Sequence, residues 1–205
     1  MYALVENNQI TKLINNPKSL VIGDVNYPAK IFSVWSQSEL NAIGIYEVIT
    51  DLTNKKDEAW YINTNESYAF ADNQVTRSWG SATAKAHADT TWTQQDSDDG
   101  LIPSDKSIGD IKTRGLKYNL IQNIKKQAAG ILKDTDWYVV RKADAGTEVP
   151  SGITTHRAAV RTKCAEMETA ITNASDTPAL ETLYKYTTTD GVQSRPLGEL
   201  PILES

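Results

Sequence analysis

The sequence predicts an α+β chain, with a β-rich N-terminal part of hairpins and one short helix, followed by a small helical C-terminal part. Three observations carry that prediction. Over the first eighty residues, short apolar stretches alternate with turn dipeptides such as Asn7-Asn8 and Asp72-Asn73, which tolerate positive φ. From Asp110 onward apolar residues recur every three or four positions. Between these regions, from about Gly80 to Gly109, small and acidic residues predominate. The expected division is a β-rich domain over 1–80, a polar linker over 81–109, a three-helix domain over 110–190 and an extended tail over 191–205.

Met1–Glu6 and Gln9–Ile14 flank Asn7-Asn8 as a hairpin. Leu20–Val25 and Ala29–Val34 read as short strands separated by Tyr27-Pro28, and Ile45–Ile49 as another. The one short helix lies before that last strand. Ser36 or Ser38 caps it, Glu39 sits in its first turn, and Gly44 ends it at the position that favours glycine. Ala59–Thr64 is a further strand, and Ser67–Ala71 with Gln74–Ser78 forms a second hairpin. In this hairpin Tyr68 and Phe70 share one face, and Val75, Arg77 and Trp79 share another. The stretch Ser81–Ala86 and the acidic run Asp96–Gly100 offer little area to offset the entropy of ordering, hence the linker.

The first long helix carries Tyr118, Ile121, Ile124, Ala128 and Ile131, widened by Leu116 and Leu120, with Gly115 marking its start. Thr135–Lys142 reads as an extended segment, because Trp137, Val139 and Val140 are residues that favour strands. A second helix is expected from Ser151, with a stripe of Ile153, Val160, Cys164, Met167 and Ile171 close to a heptad seam. A third starts with Thr177 as cap and Pro178 in its first turn, and presents Leu180, Leu183 and Tyr184. The tail Arg195–Leu203 is apolar but broken by Pro196 and Pro201, so it should lie along another surface.

Composition narrows the chemistry. The 205 residues carry 21 Lys and Arg against 26 Asp and Glu, a net charge of -5. That balance argues against a phosphate backbone or an anionic membrane as main partner. No apolar run approaches the roughly 20 residues of a membrane span. The opening residues lack a basic stretch, so no secretory signal is expected. One cysteine, Cys164, excludes an internal disulfide and a cysteine-based zinc cluster, and His87 and His156 are too far apart for a metal motif.

The remaining constellations read as structural. Asp96, Asp98, Asp99 and Gly100 suggest a calcium loop, but counted from Asp96 the sixth residue is Leu101 and the twelfth is Ser107, where glycine and glutamate are needed. A solvated acidic segment is the better reading. Cys164 belongs to the apolar stripe, and His156 lies eight residues away on the same helix, about 12 Å along the axis and beyond reach of the thiol. His156 is expected at the surface or near the helix cap, and His87 in the linker. Arg157 and Arg161 suggest a salt-bridged pair of positions, with Glu148 or another acid as partner. Asn65-Glu66-Ser67 and Asn173-Ala174-Ser175 match the glycosylation sequon by chance. Ten of the 16 aromatic residues fall in the first eighty positions, where they serve as core or subunit interface or, alternatively, as a stacking platform for sugar. No catalytic, metal-binding or cofactor-binding set is legible, so the chain is expected not to be an enzyme and to need no cofactor.

Two stretches resemble proteins of tailed bacteriophages. Met1–Ile10, with Tyr27-Pro28-Ala29 and Leu40–Val48, resembles the start of many small virion proteins. Leu132–Arg161, holding Thr135-Asp136-Trp137-Tyr138-Val139-Val140-Arg141-Lys142 and Arg157-Ala158-Ala159-Val160-Arg161, is similar to the C-terminal part of phage tail-fibre assembly proteins and related tail or baseplate components. The resemblance implies a structural component of a tailed phage particle, associated with tail, fibre or baseplate and made in the bacterial host cytoplasm. Alternatives are a tail-fibre assembly chaperone, a capsid decoration protein and a carbohydrate-binding virion accessory. The implied partners are other virion proteins, with neither nucleic acid nor membrane, and a host-surface glycan stays open.

Leu116, Leu120, Trp137, Tyr186 and the Leu197–Leu203 tail exceed what so small a bundle covers, which points to a homo-oligomer, and the resemblance to fibre-associated phage proteins implies a slight preference for a trimer. The candidate assembly interface comprises Ile153, Val160, Cys164, Met167, Ile171, Leu197, Leu200 and Leu203.

Overall fold

A computed structural model describes residues 1–203. Asn7 and Asn8 hold φ angles of 51° and 60°, and the hairpin that they close joins β1 (Tyr2–Glu6) to β2 (Gln9–Ile14). A second hairpin, β3 (Leu20–Ile22) and β4 (Val25–Tyr27), turns at Gly23-Asp24. Residues 29–34 are not the expected strand. Ile31–Val34 is a single helical turn, α1, closed by the Trp35 N–H on the Ile31 carbonyl, and it buries Ile31. The short helix is α2 (Gln37–Ala42). The Ser36 hydroxyl accepts from the Glu39 N–H, the Glu39 carboxylate accepts from the Ser36 N–H at 2.7 Å, and Gly44 follows the C-cap at φ 82°. A Cβ on Gly44 would stand 2.6 Å from the Val5 carbonyl oxygen, so the glycine permits a close approach as well as the turn.

β5 (Ile45–Thr50), β7 (Ser67–Ala71) and β8 (Gln74–Ser78) complete a five-stranded sheet of order β2-β1-β5-β8-β7, with β6 (Tyr61–Ile62) a two-residue strand before the last hairpin. All pairs are antiparallel except β5 with β8, where Val48 lies opposite Val75. Strand β1 is buried on both faces. Leu4 joins Ile14, Leu20, Ile31, Leu40 and Ile45 in one core, while Ala3 and Val5 pack with Val75 on the other side. The two edge strands β2 and β7 also approach one another, so the sheet curls.

The chain forms two units, Met1–Thr83 and a second beginning at Ala84, with the two-residue strand β9 (Thr83–Ala84) at the division. The segment 81–109, expected as a linker, has structure of its own in the second unit. β10 (Thr90–Thr91) pairs with β11 (Ile111–Thr113), and α3 (Gln94–Asp98) lies between them. Polar bonds order it where apolar area is scarce. The Trp92 N–H donates to the Asp110 carbonyl, and Gly109 donates back to Trp92, both at 2.9 Å.

Four helices follow where three were expected. They are α4 (Leu116–Lys133), α5 (Asp136–Ala145), α6 (Ser151–Asn173) and α7 (Thr177–Tyr184). The additional one is α5, which occupies the segment expected to be extended. Its end signals override the strand preference of Trp137, Val139 and Val140: Asp136 in the first turn, Lys142 in the last, and Gly146 at φ 68° as C-cap. The cap of α7 is Asp176, one residue earlier than expected, with its carboxylate accepting from the Ala179 N–H at 2.8 Å.

The tail is likewise more structured than expected. β12 (Thr187–Thr189) and β13 (Val192–Ser194) form a hairpin around Asp190-Gly191. Beyond it Leu197 is buried and donates its N–H to the Leu183 carbonyl at 3.0 Å. Residues 204 and 205, the end of the expected tail, lie outside the described residues.

Candidate functional site

α4 and α6 pack antiparallel. Arg157 near the start of α6 reaches the Leu132 carbonyl at the end of α4, and Lys117 near the start of α4 reaches the Thr172 carbonyl at 2.9 Å. Between these ends, Lys125 pairs with Glu168 at 3.0 Å. The apolar seam closes within the unit. Val160, Met167 and Ile171 are at most 1% exposed, and Ile124 and Ala128 on α4 are buried with them.

The candidate interface residues therefore have distinct environments. Val160, Met167, Ile171 and Leu197 are core, while Ile153, Cys164 and Leu200 are half-buried. Only Leu203 among the eight is an exposed side chain. The Cys164 thiol lies 3.5 Å from a Glu168 carboxylate oxygen, and burial followed by that acidic neighbour pushes its pKa up. A thiol held in its protonated form is a poor nucleophile.

His156, expected at the surface or near the helix cap, is buried, and Arg157 beside it is buried as well. The Arg157 guanidinium donates to the Leu132 carbonyl at 2.7 Å, to the Thr135 hydroxyl at 2.6 Å and to the Asp136 carboxylate at 2.9 Å. Its acidic partner is Asp136 rather than Glu148, which pairs instead with Lys142. This one side chain serves the C-terminus of α4 and the N-terminus of α5 together, a task suited to a planar fork of donors. The seam itself held the signal. Its spacing jumps by seven from Ile153 to Val160, and the omitted heptad position is 157.

The segment 84–115 is held by carboxylates. Asp89 accepts from the Gly115 N–H at 2.8 Å and from Arg114 at 2.6 Å, and these bonds hold its carboxyl below the usual range. Leu116 and Lys117 donate their N–H groups to the carbonyls of Ala86 and His87. The first turn of α4 is thus capped by backbone rather than by a ligand. Asp96 accepts from Lys112 and from the hydroxyl and N–H of Thr93, which lower its pKa to about 2. The carboxylate is an internal tie, since its partners are protein groups.

The uncovered apolar groups are elsewhere. Helix α5 has no buried residue and exposes Trp137, Val139 and Val140. Trp137 stacks near Tyr138 with ring centroids 4.3 Å apart, and the Arg141 guanidinium lies 4.5 Å from the Trp137 centroid. In the first unit Val21, Val25 and Val34 are exposed around the small hairpin, and Ile49, Leu52 and Ile62 are exposed elsewhere. The aromatic residues of that unit mostly pair inside it, Tyr2 with Phe32, Tyr27 with Trp35 and Tyr46 with Phe70.

Among the described residues no three His, Cys, Asp or Glu side chains gather as a metal site, and no helix is long and apolar enough to cross a membrane. No protein-family model, curated protein or solved structure matches the chain.

Proposed function

We propose that the chain is a structural component of a tailed phage particle, associated with tail, fibre or baseplate, and that it works through protein–protein assembly. The observation that carries the assembly reading is α5. A ten-residue helix without a single buried side chain, turning Trp137, Val139 and Val140 to water, forgoes the packing that normally stabilises a helix of that length. Trp137, with Val140 one turn on and the Arg141 guanidinium 4.5 Å from its ring centroid, has the aromatic and arginine composition of a protein-binding centre. The virion context rests on the resemblance of Met1–Ile10 and Leu132–Arg161 to phage proteins. In this reading the chain carries out no catalytic step.

Mass spectrometry of particles purified from the lysate in which the chain is made tests the proposal. Recovery at a defined copy number is the expected result, with immunogold label at the tail. A chain abundant in the lysate and missing from the particles overturns it and favours a chaperone that leaves after assembly.

A further inference from the structure

Helix α5 leaves one cation without an acceptor. Of its two basic side chains, Lys142 pairs with Glu148 at 2.6 Å, whereas no acceptor holds the Arg141 guanidinium among the described residues. Its Nε is buried and still unpaired, an arrangement that costs stability until an acceptor covers it. The side chain is nonetheless fixed in place, 4.5 Å from the Trp137 ring centroid and 5.4 Å from that of Tyr138. A guanidinium stacked on aromatic faces turns its edge of N–H donors outward, and that edge fits a carboxylate. Beside it Trp137 and Val140, one turn apart, are 52% and 64% exposed. The ligand that suits this face combines aliphatic side chains with an acid.

The chain itself carries such a ligand. Beyond the buried Leu197 the backbone is neither helix nor strand, and Ile202 and Leu203 are 79% and 46% exposed. Glu204 follows them in the sequence and lies outside the described residues. Elsewhere the acids near exposed aliphatic residues are engaged: Asp51 accepts from Thr53, Asp99 from Gln95 and Asp110 from Ser107. Asp24 and Asp190 belong to tight hairpin turns. Within one chain the tail and α5 do not cover each other, since Ile202, Leu203, Trp137 and Val140 are all exposed. The occupant is therefore the tail of a second copy.

We propose that Ile202, Leu203 and Glu204 of one copy dock on α5 of another. The aliphatic pair lies on Trp137 and Val140, and the Glu204 carboxylate takes the free edge of the Arg141 guanidinium. The contact joins opposite charges at short range, while the repulsion between two chains of net charge -5 is screened by salt beyond about 8–10 Å. Each copy gives one tail and receives one, so the contact closes as a two-fold exchange or as a ring. So few side chains place it at the weak, reversible end of protein interfaces. The inference rests on the reading of α5 as an assembly surface and names its occupant, yet the two fail separately. Particle mass spectrometry does not depend on the tail, and the experiment below uses the purified chain alone.

Sedimentation equilibrium of the full chain from micromolar to millimolar concentration is the test. A reversible oligomer is expected, with its Kd raised about tenfold or more by Glu204→Lys and likewise by Arg141→Glu. Combining the two substitutions restores the attraction with its signs exchanged, and should return the Kd to within about threefold of the unmodified chain. Circular dichroism checks that the variants stay folded. If Arg141→Glu unfolds the chain, Glu204→Lys and Ile202→Asp decide instead, since both lie beyond the last buried residue, and each should weaken association by a similar factor. A chain monomeric to millimolar, an oligomer indifferent to Glu204→Lys or to Ile202→Asp, or a folded double variant as weak as the single ones overturns the proposal.

Discussion

The Thr177 hydroxyl donates to the Lys85 carbonyl at 2.6 Å, joining residues 92 positions apart. Thr177 is 2% exposed at the start of α7, and Lys85 lies in the stretch whose composition suggests a bare connector. One hydroxyl therefore ties the beginning of the second unit to its last helix. Thr177→Val keeps the shape and deletes this donor to the Lys85 carbonyl. It should cost about 1–3 kcal/mol in urea unfolding, with Thr177→Ser close to the unmodified chain.

Arg157→Met should destabilise by about 2 kcal/mol, because three acceptors each lose a charged donor together. Asp136 is more than half exposed, so water rescues its carboxylate, and the Leu132 carbonyl keeps the N–H and hydroxyl of Thr135, so most of the loss falls on the buried Thr135 hydroxyl. Arg157→Lys should recover only part of it, since an ammonium cannot reproduce the fork. Hydrogen exchange over 133–138 should accelerate in both variants relative to the rest of α4.

The Asp96 tie predicts an acid response with a defined sign. Its folded pKa of about 2 lies below the ordinary 3.8, so its stabilising contribution is complete above the ordinary value and is lost as pH falls through the folded one. Trp92, whose ring centroid lies 4.6 Å from the Lys112 ammonium, should report this as a fluorescence change between pH 4 and pH 2, on the order of the interval between those pKa values. In Asp96→Asn that change should vanish.

Cys164→Ala should cost no more than about 1 kcal/mol, since the thiol is half-buried and makes one long contact. Cys164→Asp places a carboxylate beside Glu168 and should cost about 1–3 kcal/mol in the same unfolding assay. In the unmodified chain, alkylation of the thiol at pH 7 should be slower than that of a free cysteine, because its pKa is raised.

Val140→Lys on the exposed face of α5 should leave the urea midpoint within about 0.5 kcal/mol of the unmodified chain. Its recovery in purified particles should fall sharply. A normal copy number with this variant would remove α5 from the docking surface.

What was legible in the sequence was local chemistry. Asn7-Asn8 and Asp72-Asn73 adopt the positive φ that their turns require, and the Ser36–Glu39 box with Gly44 bounds α2 at both ends. Reading failed where tertiary contacts decide. Thr135–Lys142 has strand-favouring side chains, yet Arg157, some twenty residues later, fixes its first turn as a helix start. The 81–109 region lacks apolar periodicity because Asp89, Asp96 and Thr93 order it through hydrogen bonds. In β12 a run of threonines has no alternation to betray a strand, although Asp190-Gly191 was a turn signal in plain view. The heptad spacing shows that Val160, Met167 and Ile171 share a face but not what covers it, and that is settled by α4, which buries Ile124 and Ala128 in the same seam.

Leu197, sealed beneath the last turn of α7 with its amide on Leu183, bears on the order in which the chain matures at the ribosome. The first unit has every strand of its curled sheet by Ser78 and can fold as soon as that stretch has emerged. The second can bring α4 and α6 together once Asn173 has emerged, but the last turn of α7 stays uncovered until synthesis has passed Leu197. A pause or truncation between α7 and Leu197 should therefore yield a product with a finished front half and a loose α7, and pulse-labelled nascent chains arrested there should lose protease resistance first around α7.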